Sequence, residues 1–184
     1  MSATNVTCPT DCSSSPGAMV FNYCDANTNH GEADLVFIAS QDAADLVNSE
    51  DLAEWLTRID NTGVDTDDIR KLHFIGEKPA PDANYENLGG GNQKTKEVMH
   101  TLTGKIVETG DENYQAMRKF QCGGKYKIWW TVGKYLYGGN TGVLARVSMR
   151  LVSPLERTEN EYFMTEISWD ENQDPNRVDN PFTN

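Results

Sequence analysis

Four stretches of this chain alternate with a period of two, and that periodicity constrains the fold more than any other feature. Side chains on a β-strand point in turn to opposite faces, so such a pattern sends one set to a core and leaves the other outside. From Thr95 to Glu108, Val98, His100, Leu102 and Ile106 share one face, while Met99, Thr101, Thr103 and Lys105 share the other. Lys125 to Val132 sets Tyr126, Ile128, Trp130 and Val132 against Lys127, Trp129 and Thr131. Val143 to Val152 places Val143, Ala145, Val147, Met149 and Leu151 on one side and Arg146 and Arg150 on the other. Glu161 to Trp169 carries Phe163, Ile167 and Trp169 on one face. Two shorter runs, Asp34 to Ser40 and Ile69 to Gly76, are rich in β-branched and aromatic residues and read as further strands.

Two segments break the period. Ser49 is placed to cap a helix with Glu50 and Asp51 in its first turn and Leu52, Trp55, Leu56 and Ile59 along one face. A second helix, from about Glu112 to Gln121, is capped by Asp111 or Thr109, packs through Tyr114, Met117 and Phe120, and stops at Gly123-Gly124. The Pro-, Asn- and Gly-rich stretch from Pro79 to Asn92 reads as a loop, and Gly138 to Gly142 as a mobile one. The order predicts a mainly β protein, an antiparallel β-sandwich or partly closed barrel with two short α-helices and extended N- and C-terminal arms. Residues 1–33 form a Cys-containing arm, 34–169 one β-rich domain, and 170–184 a polar tail. With 184 residues, four Trp, seven Tyr and six Phe, the chain has the length and the bulk for one core.

Charge is unevenly distributed. The net charge is -12, yet residues 25–68 hold twelve acids against Arg58 alone, and residues 69–153 hold thirteen bases against seven acids. A chain this acidic is a poor general binder of nucleic acid, since phosphate contacts need clustered Lys and Arg. The segregation has two readings: solvated faces that keep the protein soluble, or acidic and basic surfaces of neighbouring copies that meet head to tail. The longest apolar run, Leu35 to Ala39, is far short of a membrane helix, and the first residues lack the basic and apolar regions of a signal peptide. The expectation is a protein made in a cytoplasm, with no membrane partner.

Catalytic signatures are missing from the sequence. No nucleophile elbow, zinc-protease pair, phosphate-binding loop or dinucleotide fingerprint occurs, and no catalytic residue, cofactor or metal is expected. Cys8, Cys12, Cys24 and Cys122 lack the second close pair of a zinc site and read as free thiols, with a disulfide between arm cysteines as the second reading. His30, His73 and His100 stand apart and read as structural, and Asp67, beside Asp65 and Asp68, reads as a helix or turn cap. Trp129 and Trp130 point to opposite sheet faces, so one belongs to a core and the other is exposed or at an interface. Tyr135 and Tyr137 flank the glycine loop on one face. Trp129, Tyr135, Tyr137, Arg146 and Arg150 are therefore the candidate interface residues. A glycan-binding module stacking a sugar on Trp129 or Tyr137 is an alternative from a different class.

Several segments carry a resemblance in order and texture: Ile75-Gly76-Glu77-Lys78-Pro79, Leu102-Thr103-Gly104-Lys105-Ile106, Asn113-Tyr114-Gln115-Ala116-Met117-Arg118, Lys127-Ile128-Trp129, Leu136-Tyr137-Gly138-Gly139 and Pro175-Asn176-Arg177. Across Ile75 to Phe182 the chain resembles virion structural proteins of tailed double-stranded DNA phages and prophages, of the tail-tube type. The resemblance implies a sandwich or barrel subunit with a flanking helix. It also implies hexameric rings that stack into a tube around the DNA path, with other virion proteins as partners. A cysteine-bearing arm is not part of that pattern. It fits equally a capsid auxiliary, decoration or connector protein of the phage head.

Overall fold

A computed structural model of the chain describes residues 32–60, 65–81, 85–89, 92–95, 98–107, 109–120, 124–155 and 160–183. The elements run β1 (Ala33–Ser40), α1 (Leu52–Arg58), β2 (Ile69–Glu77), β3 (Tyr85–Gly89), β4 (Asn92–Thr95), β5 (Val98–Ile106), α2 (Asp111–Phe120), β6 (Lys125–Val132), β7 (Tyr135–Tyr137), β8 (Val143–Val152), β9 (Tyr162–Glu171) and β10 (Arg177–Asp179). The alternating runs are strands, and they pair in a circuit. In strand order the sheet is β1-β2-β5-β9-β8-β6, and β6 pairs back onto β1, with Phe37 opposite Trp129 and Ile38 opposite Ile128. Every pairing is antiparallel. The fold is thus mainly β, a closed six-stranded antiparallel barrel, and closure removes the unpaired edges that an open sheet would present.

The inward set of each strand fills the barrel. Val36 and Ile38, Phe74, Leu102 and Ile106, Ile128 and Trp130, Val147 and Met149, and Phe163 and Ile167 form one buried cluster. Phe74 fits only because Gly76 and Gly104 pair across β2 and β5: a Cβ on either would lie within 2.6 Å of its ring. One end of the barrel is closed by α2. Its Met117 is buried in the cluster, Tyr114 packs on Phe163 at 6.1 Å, and Phe120 meets Tyr126 edge-on at 4.9 Å. The helix starts where the Tyr114 amide donates to the Gly110 carbonyl, so Gly110, and not Asp111 or Thr109, holds the cap position. At the other end a row of rings runs from His100 to Trp169, then to Trp130 and Tyr137, at centroid distances of 5.3, 5.3 and 5.4 Å.

A second core lies outside the barrel, on the outer face of β1 and β6. Phe37, Ala39, Trp129 and Leu136 are covered by Ala43, Leu46 and Trp55, with Val178 and Phe182 alongside. This core corrects the expectation that one of Trp129 and Trp130 is exposed, since their exposures are 0% and 1%. Trp130 faces the barrel and Trp129 faces the covering layer. α1 belongs to that layer. Its N-cap is Asp51, whose carboxylate accepts from the Ala53 amide, and not Ser49. Ser49 is instead buried, and its carbonyl accepts from the Trp55 indole N–H at 2.9 Å. Of the face expected to be apolar, Trp55 is buried, Leu52 and Ile59 are half-buried, and Leu56 points to solvent.

Two loops and the tail also differ from expectation. The stretch from Pro79 to Asn92 contains β3 and the start of β4, which pair with each other as a separate two-stranded sheet. The long strand begins at Val98, because Thr95 belongs to that hairpin. The polar tail is built into the fold: β9 continues to Glu171, β10 pairs with β7, and Phe182 stacks on Phe37 at 4.8 Å. Asn180 anchors the tail, donating from Nδ2 to the Gly133 carbonyl and from its amide to the Lys134 carbonyl, both at 2.9 Å. All four cysteines, His30 and residues 1–31 of the arm lie outside the described residues.

Candidate interaction surface

The residues picked from sequence fall into three environments. Trp129 is interior. Its indole N–H donates to the Gly139 carbonyl at 2.9 Å, and its ring meets Trp55 edge-on at 5.5 Å. Gly138 and Gly142 lie against that ring, and a Cβ on them would approach it to 2.6 and 2.7 Å. The glycine loop is therefore a tight cradle and not a mobile segment. Gly138 donates its amide to the Asn176 carbonyl, and Gly142 donates to the Gly138 carbonyl. A buried, hydrogen-bonded Trp129 is closed to a sugar or a partner protein.

Tyr135 and Tyr137 are half-buried. Tyr137 stacks on Trp130 with the planes 4° apart. Tyr135 lies under the Arg177 guanidinium at 4.4 Å, with the Lys134 ammonium 5.1 Å from the same ring. Both side chains are committed to the β7–β10 flap, which the short Tyr135–Tyr137 strand and Arg177–Asp179 create at the end of β6.

Arg146 and Arg150 are exposed on the outer face of β8, as the alternation requires. Pairing sets them in two rows that cross the barrel wall. Lys125, Arg146, Ser168 and Thr101 are register partners along one row. Arg150, Met164, Lys105 and Ile75 align along the other, so cation and apolar side chain alternate across four strands. Met164, Ile75 and Leu144 are exposed on this wall. Glu166 and Asp170 share it, but neither arginine forms an ion pair among the described residues. No described segment covers this wall, whereas α1 and the tail cover the outer face of β1 and β6.

The covering layer is acidic. Asp42, Asp45, Glu50 and Asp51 are exposed on it, and Val47 and Leu56 show 87% and 63% of their surface. Asp45 pairs with Lys127 at 2.5 Å, and Arg58 is spent on the Ala44 and Asp67 carbonyls. The residue that holds this layer in place was not picked from sequence. Asn140 accepts the Ser49 amide, donates to the Val47 carbonyl, and takes the Leu46 amide on its own carbonyl. The only signal for it is an Asn set among turn glycines. Asp67 accepts the Ala44 amide at 2.7 Å, and the local turn is capped by Asp68, which accepts the Asp65 amide.

One polar cluster sits at the aromatic end of the barrel. His100 is 3% exposed, its Nε2 lies 3.2 Å from the Glu171 carbonyl, and its Nδ1 lies 3.7 Å from an Asp174 oxygen that also binds Lys78 at 2.6 Å. Burial pushes the Glu171 carboxyl above its ordinary 4.5 although part of the side chain stays exposed, and the charge interaction with His100 pulls the other way. A shallow hollow of about 450 Å³ opens beside it, between residues 138–143 and 171–176. These contacts pin the segment after β9 to the barrel mouth. His100 takes a structural place there, and His73 is exposed on the outside of β2. Among the described residues no three His, Cys, Asp or Glu side chains converge to hold a metal ion, and no helix is long and apolar enough to cross a membrane.

Fold and surface together define a closed β-barrel with one wall sheathed in an acidic layer and another that no described segment covers, where exposed apolar side chains and cations stand with Glu166 and Asp170. Comparison of the chain with protein-family profiles, with curated proteins and with solved structures finds no match.

Proposed function

We propose that this chain is a non-enzymatic structural subunit that assembles with copies of itself into a ring or tube, of the phage tail-tube kind. The observation that carries the reading is the bare β5–β9–β8 wall. Exposed Leu144 and Met164, with Ile75 on the adjoining β2, lie there beside Arg146 and Arg150, which form no ion pair among the described residues, a composition suited to a protein contact and not to free surface. The β3–β4 hairpin supports the same reading, because it stands outside the barrel ladder as its own small sheet. The resemblance of the segments from Ile75 to Phe182 to tail-tube proteins supplies the ring and the tube. An assembly of this sort belongs in a virion.

The test is negative-stain electron microscopy of the purified chain over a range of protein and salt concentration. Rings or stacked tubes that grow with concentration are expected. Single particles under every condition would overturn self-assembly and favour an auxiliary protein held by a phage capsid.

A further inference from the structure

We infer that the bare β5–β9–β8 wall of one copy docks on the acidic α1 layer of a second copy of this chain. The inference rests on the self-assembly reading and names the two surfaces that meet. Charge selects the partner. The bare wall presents Lys105, Lys125, Arg146 and Arg150, which outnumber Glu166 and Asp170 on it, and the acidic layer presents Asp42 and Glu50 beside Asp51, the α1 cap, and Asp45, which is paired with Lys127. Apolar surface matches as well, with Met164 and Leu144 on one side and Val47 and Leu56 on the other. A contact of this wall with itself would bring together two surfaces on which four cations outnumber Glu166 and Asp170, and like charge brought together at an interface repels.

The geometry makes the contact heterologous, since the two surfaces are different parts of one subunit. The acidic layer is centred over β1 and β6, the β5–β9–β8 wall over β9. Around the six-stranded circuit β9 lies about two and a half strand positions from the midpoint of β6 and β1, so the two faces look in different directions and successive copies are related by one constant rotation, which gives a ring where it closes.

Two double variants test this, Arg146→Glu with Arg150→Glu and Asp42→Lys with Glu50→Lys. All four side chains are exposed and none makes a side-chain ion pair among the described residues, so both variants are expected to keep the wild-type circular dichroism and melting temperature. In sedimentation velocity at low salt, each alone should weaken self-association by at least about tenfold. Mixed in equal amounts they should assemble again, because each variant's altered face then meets an altered face of opposite sign. Assembly of the arginine variant at wild-type strength would overturn this pairing of faces and leave self-assembly standing. Two folded variants whose mixture stays dissociated would overturn it too. A wild-type chain that remains monomeric at every concentration would overturn both this pairing and the self-assembly reading.

Discussion

Trp129 shows how a single residue can mislead when only its strand is considered. Alternation turns it away from the barrel, and the reading that follows is an exposed anchor. In the structure the outward direction leads into a second core, where the ring is held by Trp55, the Gly139 carbonyl and the glycine loop. Gly142 lies at φ +71°, a conformation that favours glycine, and a Cβ there would also strike the indole. Gly142→Ala is therefore expected to destabilise the fold by about 1–3 kcal/mol in urea titration, from strain and overpacking together. An unchanged midpoint would show that the cradle can yield. Glu171 carries the pH dependence at this scale. A carboxyl whose folded pKa is raised contributes stability that is full below the unfolded value and is lost as pH rises through the folded one. Stability is thus expected to fall upward from about pH 4.5, and less so in Glu171→Gln, which has no proton to lose. Parallel urea midpoints for the two proteins between about pH 4 and pH 7 would remove this assignment.

At the scale of elements, strands were easier to place than their coverings. Lys125–Val132 and Val143–Val152 keep the bounds that alternation marks, because each must present one continuous row to the barrel. The covering pieces carry weaker signals. α1 has seven residues, too short to be stable on its own, and it is held by its Asp51 cap and by Trp55 in a site built from β1 and β6. β10 has three residues and one half-buried side chain, Val178, so no period can reveal it. The tail nevertheless closes the outer core, with Phe182 stacked on Phe37 and edge-on to Trp55. Phe182→Ala is expected to lower stability by about 1–3 kcal/mol by thermal or urea melting. A melting curve identical to wild type would mean that the tail rests on the barrel without supporting it.

For the molecule as a whole, the charge blocks along the chain become charge on opposed surfaces. Residues 42–54 form the layer over β1 and β6, while the cations of β5 and β8 gather on the wall centred on β9, with Lys125 at the edge where β6 joins it. This is why the salt arm of the microscopy experiment is informative. Exposed charges are screened beyond about 10 Å at 0.1 M salt, so assembly driven by these faces weakens as salt rises. Assembly that strengthens with salt would instead point to the exposed apolar side chains as the main contact.

The sequence by itself determined the class of fold, since period-two alternation over long segments can bury its apolar sets only in a sheet structure. It also divided the two faces of β5, β6, β8 and β9, though not those of β1 and β2, and it placed Arg146 and Arg150 opposite the apolar set of β8. Closure of the sheet into a barrel was decided by the tertiary structure, because the pairing of β6 with β1 joins residues about ninety positions apart and leaves no local trace. The second core was decided there as well. Whether an outward side chain such as Trp129 meets water or another layer depends on where α1, Asn140 and Phe182 come to rest. That position is set by long-range contacts such as Ser49 to Asn140, and not by the pattern of any one segment.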